Sequence, residues 1–163
     1  MFFKSLYAFI AVSAAGFASV VAETHTVHFD NRCGFGTPFL VQGGNILSFG
    51  GDFPINAPFV DAIAFLQTGT CGFNGEGCTT VEITLFNPTG RPNSLSGSSV
   101  DISLVPPHAF SVTTGFEYFN GCDGAGANCT SAQCPTALFH PEDTDAQVAC
   151  QANNVNIAVT FCG

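Results

Sequence analysis

Thr79–Phe86 reads TTVEITLF, and its alternation decides the fold class. Val81, Ile83 and Leu85 point one way; Thr80, Glu82 and Thr84 point the other. The stretch is a β-branched strand with one apolar face and one polar face. Val100–Val105 (VDISLV) alternates in the same manner and puts Asp101 and Ser103 on its polar side. Working outward, Thr24–Asp30 (THTVHFD) predicts a half-buried strand near the start. Pro38–Gln42 and Ile46–Phe49 predict a hairpin about the turn Gly43-Gly44-Asn45. Val60–Leu66 (VDAIAFL) predicts a buried strand, and Phe110–Thr114 and Asn156–Phe161 complete the set. Asn87–Ser99 and the glycine-rich Asn120–Cys134 read as loops. No segment carries a long 3.6-residue stripe, so the expected architecture is an all-β sandwich or barrel.

Composition narrows the class of partner. Of 163 residues, Lys and Arg number 3 and Asp and Glu 12, for a formal charge of −9. A chain so poor in cations has no footprint for a phosphate backbone or an anionic bilayer, so neither nucleic acid nor membrane is expected. With 46 % hydrophobic and only 9 % charged residues, disorder is excluded as well. Met1–Ala22 reads as a secretory signal: Lys4 forms the n-region, an apolar stretch follows, and Val20 and Ala22 are small residues before the cut. The expected mature domain is Glu23–Gly163, a secreted, extracellular monomer.

All eight cysteines follow that signal: Cys33, Cys71, Cys78, Cys122, Cys129, Cys134, Cys150 and Cys162. An even number in a secreted chain implies disulfides, and eight cysteines allow about 105 pairings, among which spacing does not choose. The gaps lack the two short, regular pairs of a zinc site. His25 and His28 would fall on opposite strand faces, which suits no single metal, and His108 and His140 read as surface or turn residues. No EF-hand spacing surrounds Asp123 and Asn128, and no Gly-x-Ser-x-Gly elbow occurs. No cofactor and no metal are expected. Asn128-Cys129-Thr130 is an N-glycosylation sequon.

Several pieces, in order along the chain, resemble the thaumatin-like proteins. Phe29–Cys33 is similar to their N-terminal strand, and Cys71–Cys78 to their Cys-x-Phe-Asp loop. Val81–Leu85 and Asp101–Val105 resemble their Ala-Glu-Phe-Thr-Leu and Tyr-Asp-Val-Ser-Leu-Val strands. Cys134-Pro135-Thr136-Ala137, followed by Phe139 and Glu142-Asp143, looks like their Cys-Pro-Asp-Ala segment, and Asn156–Gly163 like their last strand. Small secreted fungal glycopeptides are similar in length and loop sequence. The resemblance implies a thaumatin-like β-sandwich or flattened barrel, with Cys33–Cys162, Cys71–Cys78, Cys122–Cys150 and Cys129–Cys134 as disulfides. It implies too that the family's large disulfide-rich lobe shrinks here to a loop-rich segment, residues 119–151.

The resemblance further implies an acidic cleft for β-1,3-glucan. Hydrolysis there needs two carboxyls across the glycosidic bond, one protonated and one ionised. Glu82 is the expected general acid and Asp101 the expected base, with Asp143 and Glu142 lining the same cleft. Phe116, Tyr118 and Phe119 are candidate sugar platforms. The chain also departs from the family. Val105-Pro106-Pro107-His108-Ala109-Phe110 stands where an acidic residue is usual, Thr136 replaces an Asp, and Ala62, Ala64 and Gln67 fill a stretch that usually holds an Arg. The first expectation is therefore binding of cell-wall β-glucan in wall remodelling, defence or host interaction. The alternatives are an endo-β-1,3-glucanase using Glu82 and Asp101, and a non-enzymatic effector or inhibitor of a partner protein.

Overall fold

The computed structural model describes residues 23–89 and 97–163. The expected signal, Met1–Ala22, and the middle of the Asn87–Ser99 loop lie outside the described residues. Among the described residues, twelve strands form two sheets: β1 His25–Asn31, β2 Thr37–Gln42, β3 Asn45–Ser48, β4 Phe53–Ile55, β5 Phe59–Gln67, β6 Thr80–Leu85, β7 Ser98–Ser103, β8 Thr114–Phe119, β9 Gly126–Cys129, β10 Ala137–Leu138, β11 Val148–Cys150 and β12 Asn156–Phe161. One sheet runs β4-β1-β12-β8-β9. The other runs β10-β7-β6-β5-β2-β3, with β11 also paired to β7.

Alternation builds the core between the sheets. Val81, Ile83, Leu85, Val100 and Ile102 face inward from the larger sheet; Val27, Phe116, Tyr118, Ile157, Val159 and Phe161 face them from the smaller one. Each fully buried aliphatic side chain contributes about 1.5–3 kcal/mol. Parallel pairing of β1 with β12 brings the chain's two end strands together, and Cys33–Cys162 staples them. The remaining disulfides join Cys71–Cys78, Cys122–Cys150 and Cys129–Cys134, the pairing implied by the family resemblance.

Two expectations need correction. Phe110–Thr114 is not a strand: only Thr114 belongs to one, and β8 runs on through Phe119. Thr79 and Ser111 hold this approach as a loop, Ser111 N–H donating to Thr79 Oγ1 at 2.9 Å and Thr79 N–H to Ser111 Oγ at 3.1 Å. Asn120–Cys134 is not loop throughout, because β9 closes the edge of the smaller sheet against β8. Gly126 permits that approach, since a Cβ there would run into the Phe116 carbonyl. The small lobe thus supplies strands to both sheets, with β10 and β11 following one another along the free edge of β7.

Candidate functional site: an acidic groove on the larger sheet

Register places the site. Val41 stands opposite Ile63, Ile63 opposite Glu82, and Glu82 opposite Asp101, so one row crosses four strands on the outward face. Adjacent strands lie about 4.8 Å apart, which makes Glu82 and Asp101 immediate neighbours. An open groove of 660 Å³ runs over this row, floored by β5, β6 and β7 and walled by the segment around β11. Glu82 and Asp101 both line it, together with Asp61, Thr84, Ser99, Gln147 and Gln151.

Asp61 is a groove residue that the sequence pattern does not single out. It sits at a bulge in β5, between Phe59 and Ala62, with a positive φ of 54°. Bulges re-aim side chains, and this one brings a carboxylate to the groove from a strand that otherwise reads as core. The available signal was a lone charge inside VDAIAFL. Gln147 and Gln151 carried no signal, because β11 pairs with β7 from far along the chain.

Asp101 is the unusual member. It is only 5 % exposed, and its Oδ1 is buried without a hydrogen-bond partner among the described residues. Burial first, and the neighbouring Glu82 charge second, push its carboxyl up to about 7. Burial thus favours the protonated form of Asp101, the residue expected from the sequence to be the base. Tyr118 supports this wall from across the core: its hydroxyl donates to the Val148 carbonyl at 2.9 Å and so anchors β11. Burial, and then the Asp101 charge, raise the phenol above its ordinary value.

The other expected site residues lie elsewhere. Asp143 accepts the Phe139 and His140 backbone N–H groups, each at 2.9 Å, in the turn between β10 and β11. Those bonds, the Phe139 one foremost, hold its carboxyl below the usual range. Glu142 is exposed in the same turn, and neither residue is among those lining the groove. Of the candidate sugar platforms, Phe116 and Tyr118 are core residues, because their inward parity in β8 places them between the sheets. Phe119 is exposed, but it lines a second groove on the smaller sheet. Asn128 is exposed on β9, beside the gap left by Gly115. His25 is buried and His28 exposed, on opposite faces of β1.

The second groove, 530 Å³, has a different electrostatic character. His28 Nδ1 meets Asp52 Oδ1 at 2.6 Å, and Arg32 meets Asp30 Oδ2 at 2.6 Å. Two carboxylates here each meet a basic nitrogen and a third, Glu117, stands exposed in the groove, whereas Glu82 and Asp101 face each other.

No family model and no curated protein matches the chain. Among solved structures, the thaumatin-like xylanase inhibitor TLXI aligns with a TM-score of 0.50 at 17 % identity, covering 85 % of this chain and 99 % of that one. The protein elicitor MoHrip2 from Magnaporthe oryzae aligns with a TM-score of 0.48 at 16 % identity, covering 87 % and 100 %. The likeness to the first establishes a thaumatin-like fold for this chain.

Proposed function

We propose that this thaumatin-like fold serves as a secreted polysaccharide-binding protein whose outward groove takes a cell-wall glucan chain. Met1–Ala22 acts as the signal and Glu23–Gly163 as the working domain. One observation carries the reading: an open groove brings Asp61, Glu82 and Asp101 together among hydroxyl and amide side chains. Such a surface offers acceptors to sugar hydroxyls along an extended ligand. β-1,3-Glucan is the polymer the family resemblance implies. Co-sedimentation with insoluble β-1,3-glucan tests it: the parent chain should pellet with the polymer, and Glu82→Gln should pellet less. A parent chain that stays in the supernatant would turn attention to a partner protein, the reading suggested by a fold neighbour that is a xylanase inhibitor.

A specific observation favours a catalytic second reading. Asp101 holds a proton up to about 7 beside Glu82. In that reading Asp101 protonates the glycosidic oxygen as the bond to the leaving sugar breaks, and Glu82 takes the proton of the attacking water. Reducing-sugar release from soluble β-1,3-glucan at mildly acid pH decides it. Activity in the parent that both Asp101→Asn and Glu82→Gln abolish would make the protein a glucanase; no release would leave it a binding protein.

A further inference from the structure

Three carboxylates line the outward groove, and none of its described lining residues is a lysine or arginine. Three carboxylates elsewhere have partners. Asp30 has Arg32, Asp52 has His28, and Asp143 has two backbone N–H donors. Asp101 alone keeps a buried side-chain oxygen with no partner among the described residues, and it does so directly opposite another acid. Asp101 lacks a donor, and ionising it beside Glu82 requires a compensating charge; a neutral sugar could supply only the first. An ammonium brings three donors and a positive charge, and so answers both needs.

Resting on the reading of the groove as a polysaccharide site, we propose that the sugar seated at the Glu82–Asp101 pair carries a free amine. The ligand class is a β-linked amino sugar, such as a glucosamine unit of a deacetylated wall polysaccharide. Its ammonium bridges the two carboxylates, and Thr84, Ser99 and Gln151 face its ring hydroxyls.

Binding carries a proton signature. Asp101 faces Glu82 on β6, Asp61 across the groove on β5, and Tyr118 from β8; Gln147 and Ala149 at β11 add no charge. Below about 7 the Asp101 carboxyl is protonated. When the ammonium arrives the carboxyl ionises, and its proton passes to the buffer.

Calorimetry on the mature chain tests the proposal with three trimers: β-1,4-linked glucosamine, its N-acetylated counterpart, and β-1,3-linked glucose. Measurements at mildly acid pH in two buffers of different ionisation heat count the protons released. The glucosamine trimer should bind at least about tenfold more tightly than either neutral trimer and should release protons. Asp101→Asn and Glu82→Gln should each lose about tenfold, while Glu117→Gln, the same charge change on the opposite outer face, should lose nothing. Equal binding of the glucose trimer without proton release would overturn the amine and leave the polysaccharide reading standing. Equal loss in Glu117→Gln would reduce the effect to net charge and overturn the proposal, as would equally tight binding of trilysine. Binding of no trimer, with no retention on glucan, would remove both readings together.

Discussion

The two outward faces of this sandwich are built from the same alternation yet handle charge in opposite ways. On the smaller sheet, Asp30 and Asp52 are each within 2.6 Å of a basic nitrogen, in open solvent. On the larger sheet, Glu82 and Asp101 stand opposite one another, and Asp101 is buried. Paired, exposed charges contribute little to folding and are compatible with a purely structural surface. A buried acid facing another acid works against folding. That asymmetry is the reason the proposed binding is placed on the larger sheet's outward face.

The contrast presupposes that both faces belong to one cooperative unit, and the largest expected effect tests that premise. Replacing Cys33 and Cys162 with serine removes a closure spanning 129 residues. In the chain-entropy model this costs on the order of 4–5 kcal/mol. Urea unfolding followed by far-ultraviolet and near-ultraviolet signals should shift together to much lower denaturant. Separate transitions would mean the faces fold apart, and the comparison between them would lose its basis.

Asp101→Asn comes next and bears on the groove alone. The native carboxyl sits near 7 against an ordinary 3.8, so the folded chain holds a proton that the unfolded chain has released. Native protons exceed unfolded ones between those values, and stability must fall as pH rises from about 4 towards 7. Asparagine removes this slope. The variant should match the parent at the acid end and exceed it above neutrality, by on the order of 2–4 kcal/mol. Parallel pH profiles for parent and variant would show that Asp101 ionises as easily as an exposed acid and that the two faces do not differ.

The strands beneath this contrast were largely legible, and the lobe that walls the groove was not. TTVEITLF and VDISLV show Glu82 and Asp101 on polar faces because a two-residue period is a local property. Their pairing across the sheet follows from register, which the sequence expresses only through which face is apolar. Asp101's burial depends on β11, three residues joined to β7 from nearly fifty positions away. So short a strand has no period to detect. Asp143 and Glu142 illustrate the converse: the family resemblance implies a place in the cleft, but the turn between β10 and β11 uses the Asp143 carboxylate to cap its own backbone. Tyr118 and Phe116 are candidate platforms by sequence, and an aromatic on a strand is core or platform according to parity. Ending the expected strand at Thr114 leaves Phe116 and Tyr118 outside it, where parity assigns no face.

A smaller effect links the core to the groove. Tyr118→Phe removes the hydroxyl that reaches the Val148 carbonyl and leaves the ring in place. Stability should drop by about 1 kcal/mol. With β11 less firmly held, Asp101 should also titrate closer to an ordinary acid, which the pH profile of the variant would show as a shallower fall. A stability loss with an unchanged profile would uncouple the Tyr118 anchor from the acid it shelters.

The smallest effect is expected where the charges are already paired. Arg32 and Asp30 are both well exposed, so water competes for each and salt screens their attraction. Arg32→Ala should change the urea midpoint by no more than about 0.5 kcal/mol equivalent, and less still in high salt. It should leave the pH slope assigned to Asp101 untouched, since Arg32 lies on the other sheet. A loss comparable to the gain from Asp101→Asn would mean that the smaller sheet's ion pair carries structural weight its exposure does not suggest. The distinction between a satisfied face and an unsatisfied one would then rest on burial alone, with the sign of the neighbouring charge contributing nothing.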